Sequence, residues 1–329
     1  MKKLVLNHLV IVALAVSATF TSCGSRQIIA QDNMILISGG LYKMGDFTGK
    51  RHAIERPVHD VFLNSFYMSK YQLTVGEFRD FVEESGYITD CEKKEGGKRI
   101  SLIENGRWKF YSDSLASWKH AGYVQTDHQP VTFVSWMDAV NYCNWRSKKD
   151  KLKCCYKVIG DSVFWDKSAK GYRLLTEAEW EFAARSGGKN YKFVWGNDSI
   201  PMINGQKAAN IKDQTVKKAY APDTNYAPCW KEYEDGYIYT SPVGSFAPNE
   251  LGLYDMCGNN YEWCWDWLDE NYYSESPVNN PDGSATGKAR VCRNVGPLCP
   301  IEQIGTTHRG SGAPNNFWEN VGFRIGRSK

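Results

Sequence analysis

Ten cysteines are present in 329 residues, yet no Cys-x-x-Cys pair occurs, so neither a zinc ribbon nor a thioredoxin-type redox motif has support. A basic cluster is missing too. The 40 Lys+Arg stand against 37 Asp+Glu, a formal net charge of +3, which excludes the electrostatic footprint of a nucleic-acid binder. A mean hydropathy of −0.50 excludes a polytopic membrane protein. Histidine is scarce, six in all, and His120, His128 and His308 are too scattered to define a ligand set. No linker, low-complexity stretch or repeat interrupts residues 34–327. What is abundant is aromatic surface: 12 Trp, 19 Tyr and 14 Phe can bury a core, while 29 Gly and 12 Pro point to a turn-rich chain with sparse regular structure.

The amino terminus reads as an export signal. Met-Lys-Lys is a short basic region, Leu9–Ala18 a short apolar one, and Thr21-Ser22-Cys23 follows. A Cys directly after small residues resembles a bacterial lipobox, which predicts a signal peptide over 1–22, acylation of Cys23 and a lipid anchor; ordinary cleavage with Cys23 incidental is the alternative. Loss of Lys2 and Lys3 would leave 38 basic against 37 acidic residues, so charge identifies no partner. Residues 23–33 then form a tether, and one domain is expected over 34–327. With Cys23 acylated, nine cysteines remain, and in an oxidising envelope they could pair. Nine is odd, so at least one stays free, metal-bound or joined to another chain.

Three helix starts carry a hydroxyl residue followed three positions later by an acid, the reciprocal cap that satisfies orphan amides: Thr74 with Glu77, Ser135 with Asp138 and Thr176 with Glu179. They predict helices over 75–85, 136–147 and 177–185. In the first, Phe78, Phe81 and Val82 share a face. Strand-like runs such as 61–71 lie between, and Trp263, Trp265 and Trp267 alternate at period two, as on one face of a strand packed into a core. Long loops need fixing, since each ordered residue costs roughly 1–2 kcal/mol of backbone entropy. Two segments offer the hard oxygen ligands calcium prefers: Asp255 to Glu262 across Gly258 and Asn260, and Asn210-Ile211 with Glu234-Asp235-Gly236-Tyr237. The same residues also suit Asx turns and caps.

Taken in order, the motifs resemble one family. Gly39-Gly40, Met44-Gly45, Glu55-Arg-Pro57-Val-His59 and Phe66 to Thr74 lead, followed by His128-Gln-Pro130-Val131 and Ser135-Trp136. Gly171-Tyr-Arg173-Leu-Leu-Thr176-Glu177-Ala178-Glu179-Trp180-Glu181, Gly252-Leu253-Tyr254-Asp255-Met256, Gly258-Asn259, Glu262-Trp263 and Val321-Gly322-Phe323-Arg324 complete it. These are similar to the formylglycine-generating-enzyme, or sulfatase-modifying-factor, family over essentially residues 34–327. The resemblance implies an α+β fold of C-type-lectin-like architecture, long loops and two structural calcium sites. The first would use the side chains of Asn210 and Asp235 with the carbonyls of Ile211 and Tyr237. The second would use Asp255 and Glu262 with the carbonyls of Gly258 and Asn260.

Authentic members oxidise a substrate cysteine to formylglycine with O2, and the resemblance implies copper held linearly by two thiolates, soft ligands that select Cu(I). Cys299 falls at the first of these, but no cysteine follows it. The Arg-Gly-Gly-Ser stretch ending in an aromatic reads here Arg293-Asn294-Val295-Gly296-Pro297. Cys292, seven residues upstream, could reach Cys299 only through a turn, because an extended segment would separate them by about 23 Å; Gly296-Pro297 is the candidate. His59 and His128 sit inside fold motifs and read as structural. The expectation is therefore a lipoprotein of the bacterial envelope, periplasmic or outer-membrane associated, working as a binding or assembly module for a protein partner, as relatives in gliding and type IX secretion machinery do. A copper-dependent sulfatase-modifying oxidase is the alternative.

Overall fold

The computed structural model describes residues 33–220 and 228–329. The signal segment 1–22, Cys23 and the tether up to residue 32 lie outside them. Regular elements are short. Eight strands build two four-stranded sheets: β1 Met34–Ile37, β2 Phe66–Ser69, β3 Tyr172–Leu174, β4 Tyr261–Trp267, β5 Arg290–Arg293, β6 Gly310–Gly312, β7 Val321–Gly322 and β8 Ile325–Ser328. The first sheet runs β1-β2-β8-β3, all antiparallel, so both ends of the domain meet in it. The second runs β6-β5-β4-β7, antiparallel except for β4 beside β7. A hairpin of Gly40–Met44 with His59–Leu63, a longer one of Lys98–Glu104 with Arg107–Asp113 and two smaller ribbons accompany these sheets. The run expected as one strand over 61–71 divides at Asn64-Ser65 between the hairpin and β2.

Helices are α1 Val75–Ser85, α2 Asp90–Lys93, α3 Trp136–Lys149, α4 Glu177–Ala184 and α5 Gln214–Ala219, with one further turn at Tyr272–Glu275. All three expected capping boxes close, each hydroxyl accepting from the third residue of its helix. A fourth, Thr89 with Glu92, starts α2. In α1, Phe78 and Phe81 are buried and meet Tyr142 of α3 at 6.3 and 5.6 Å between ring centroids. Each such Phe stabilises the fold by roughly 1.5–3 kcal/mol through burial. Trp118, Trp136, Trp180 and Trp263 are fully buried in the same core.

The alternating tryptophans lie in β4, where Trp265 stacks on Tyr156 at 5.1 Å and the Arg290 guanidinium sits over Trp136, Trp265 and Trp267. They are packed into the fold, not arrayed as an open platform. The His59 ring lies tilted against Tyr273, 4.7 Å between centroids, with its Nδ1 3.1 Å from the Pro57 carbonyl. His128, expected as a structural residue, has an exposed side chain and serves through its carbonyl, which accepts from the Val243 amide at 2.8 Å.

Candidate functional site

The second sheet and α4 meet at the segment 290–299. Here β5 leaves the second sheet, turns at Asn294, and folds back through Gly296-Pro297-Leu298-Cys299, where the Cys299 amide donates to the Gly296 carbonyl at 3.1 Å. The turn thus stands where the sequence allowed one. Asn294 takes a φ of 71°, in the left-handed region that Asn tolerates better than most residues with a side chain.

Cys299 is buried. Its thiol donates to the Tyr261 hydroxyl at 3.6 Å and accepts from the Gly296 amide at 3.3 Å and Asn320 Nδ2 at 3.6 Å. Burial pushes the thiol up, against the lowering by Tyr261, Gly296 and Lys212. Cys292 is paired with Gly310 in the sheet, and Gly310 has no room for a β-carbon because the Cys292 Sγ would stand 2.8 Å and the Tyr261 ring 3.3 Å from it. Tyr261 therefore touches the surroundings of both cysteines. Burial raises the Cys292 thiol as well, and Cys299 adds to the rise. Cys299 thus hydrogen-bonds to an amide, a phenol and a carboxamide, and Cys292, whose thiol it raises, is the neighbouring sulfur that a linear bis-thiolate copper ion would take as its second ligand. All nine cysteines from Cys91 to Cys299 are free, and none forms the disulfides an oxidising envelope would permit.

The first expected calcium set comes together. Asn210 Nδ2 donates to the Tyr239 carbonyl at 2.9 Å and Asn259 Oδ1 at 3.2 Å, which orients the amide and leaves its Oδ1 buried without a partner. Asp235 is held by the amides of Ile211 at 2.9 Å and Tyr237 at 2.7 Å, so the two carbonyl-bearing residues of the set flank its carboxyl. Burial first, and the neighbouring Asp213 second, push Asp235 up to about 8. Asp213, which caps α5 and accepts from the Asp235 amide, is raised by burial too. An orphaned amide oxygen beside two buried acids is an arrangement a hard cation would satisfy, and these residues fit calcium.

The second set is also close in space, but its oxygens have donors. Glu262 accepts from Arg324 at 2.6 and 2.8 Å, from Trp180 Nε1 at 2.8 Å and from Gln72 Nε2 at 2.9 Å. Gln72 also reaches the Asn260 carbonyl at 3.1 Å. Asn294 Nδ2 lies 2.9 Å from the Gly258 carbonyl, 2.8 Å from that of Asp255 and 3.4 Å from Glu262 Oε1. Asp255 Oδ2 turns to the Gly244 amide at 2.8 Å. Sequence reasoning missed Gln72, Asn294 and Arg324 as partners of this set, and the signal available was the Asn standing where the family stretch has Gly.

A cleft of about 340 Å³ opens nearby, lined by Phe47, Arg51, Lys192, Phe193, Trp230 and Ile304 among others; Cys299 does not line it. Arg51 closes one wall by donating to the carbonyls of Glu302 and Ile304.

This loop-dominated α+β domain, with its two four-stranded sheets, shares its fold with formylglycine-generating-enzyme-like proteins. The family model described as sulfatase-modifying factor enzyme 1-like domain matches residues 19–329, and the chain belongs to that family. It is 32% identical to the formylglycine-generating enzyme of Thermomonospora curvata, covering 91% of this chain and 94% of that protein. It is 28% identical to the inactive C-alpha-formylglycine-generating enzyme 2 of Bos taurus, over 97% of this chain and 95% of that protein. The solved structure of PvdO from Pseudomonas aeruginosa superposes with a TM-score of 0.63 at 27% identity, covering 90% of this chain and 94% of that one.

Proposed function

We propose that this family member is an exported lipoprotein, held to a bacterial envelope membrane through acylated Cys23, whose domain serves as a binding or assembly module for a protein partner. Calcium at Asn210, Ile211, Asp235 and Tyr237 would fix its loops. The observation that carries the non-catalytic reading is that no cysteine follows Cys299 to supply the family's second thiolate, while the Cys299 thiol is engaged by an amide, a phenol and a carboxamide. That a relative of similar length is named inactive supports it. The fold itself is compatible with either use.

One observation favours the alternative, a sulfatase-modifying oxidase: Cys299 and Cys292 both raise Tyr261, and Cys299 also raises Cys292, so the two thiols and the phenol are near neighbours. Incubation of the reduced, copper-loaded protein with O2 and a peptide carrying Cys-x-Pro-x-Arg separates the two. No conversion of the peptide cysteine to formylglycine by mass spectrometry is expected. Conversion that vanishes in Cys299→Ser would establish the oxidase, and its loss in Cys292→Ser would identify the second ligand. Anchoring is tested by Cys23→Ala, which should release the protein from the membrane fraction; an equally membrane-bound variant with an unmodified amino terminus would overturn the lipid anchor.

A further inference from the structure

We infer that the second calcium position of this fold is filled in this chain by a side-chain amide, that of Asn294, so that the domain holds one calcium ion and not two. The reasoning starts from orientation. Asn294 Oδ1 accepts from the Gly258 amide at 2.6 Å, which fixes which end of the carboxamide points where. Its Nδ2 is thereby aimed at the Gly258 carbonyl, the Asp255 carbonyl and Glu262 Oε1. Two of these three oxygens, from Gly258 and Glu262, are ones calcium would use. A calcium ion needs six to eight oxygens at about 2.3–2.6 Å. An NH2 group at hydrogen-bond distance from those oxygens presents protons where the ion would stand, so ion and amide exclude each other.

Charge agrees with this. Arg324 already binds Glu262 through two nitrogens, and both groups are almost fully buried, so the carboxylate has its counter-ion. Gln72 Nε2 serves the Asn260 carbonyl and Glu262 Oε1, completing the replacement. Gln72 Oε1 is without a partner, so this residue could turn over and offer an oxygen. Asn294 cannot do so without breaking its bond to Gly258. The identity of residue 294 therefore decides the matter. A Gly there would leave the oxygens facing an open space, and an Asp would place an oxygen where the nitrogen is now.

Two substitutions test this, with calcium per chain measured on the full-length protein by metal analysis after equilibrium dialysis. Wild type should retain one ion, and Asp235→Ala should lose it. Asn294→Asp should retain two, and chelator should lower its melting temperature more than that of wild type. Asn294→Gly, whose backbone accepts a φ of 71° without strain, should also rise above wild type and guards against a folding defect in the charged variant. A wild type holding two ions, with neither variant exceeding it, would overturn the inference.

Discussion

At the scale of the residue, burial sets the chemistry more than sequence neighbours do. Asp138 was legible as the acid of a capping box, and it does accept from the Ser135 amide at 2.8 Å. Its other surroundings were not legible: it also accepts from the Asp90 amide at 3.1 Å and the Tyr87 hydroxyl at 3.0 Å, brought in from a separate loop. Burial, with Asp90 as the second cause, pushes Asp138 up to about 7 despite those donors. The folded value lies above the unfolded one near 4, so folding takes up a proton. The resulting stability is full below about pH 4 and is lost as pH rises through 7. Replacing Asp90 by Asn removes the like charge while keeping an acceptor for the Ser135 hydroxyl, which donates to Asp90 at 2.7 Å. Asp90→Asn should therefore gain on wild type by about 1 kcal/mol between pH 4 and 8, roughly the worth of one pKa unit. Melting temperatures of the two proteins across that range check it; a difference that does not change with pH would count against Asp90 as the cause.

Elements show what a sequence can and cannot announce. Helix starts are local events, a hydroxyl, an acid and an apolar face within one turn, so α1, α3 and α4 were readable from Thr74, Ser135 and Thr176 to within two residues at their far ends. Thr89 with Glu92 has the same signature, but the helix it starts spans only four residues, too short to display periodicity. Strand partners are not local. Nothing near Met34 says that β1 will pair with β2, or that β8, at the other end of the domain, will lie between β2 and β3. The order of motifs supplied the fold family through resemblance, but no strand partner. Site residues divided the same way. Asn210, Asp235, Asp255 and Glu262 were named because the resemblance implies calcium at residues whose types also suit caps and turns, whereas the donors that reach Glu262 come from residues 72, 180, 294 and 324 and become neighbours only after folding.

For the whole molecule, the long loops are tied by a buried charge network centred on α4. Glu181 accepts from the Gly45 amide at 2.9 Å, from Arg185 at 2.8 Å and from Arg293 at 3.0 Å, joining the first hairpin, α4 and β5. Glu177 adds Arg293 at 2.8 Å and Arg309 at 2.7 and 2.9 Å, which brings in the segment before β6. Arg185, Arg293 and both acids are almost entirely excluded from solvent. Such a network has already met a heavy desolvation cost, so its worth appears when one member is neutralised and its partner is left charged in the interior. Glu181→Gln keeps the shape of the side chain and removes only the charge, leaving Arg185 without its carboxylate. The expected loss is about 3–5 kcal/mol of unfolding free energy in denaturant titration. Lys43→Met provides the contrast, because Lys43 pairs with Asp60 at 2.7 Å on the surface of the first hairpin, with both side chains more than half exposed. That change should cost less than about 1 kcal/mol. Equal effects of the two substitutions would show that α4 is not the point through which the distant segments are coupled.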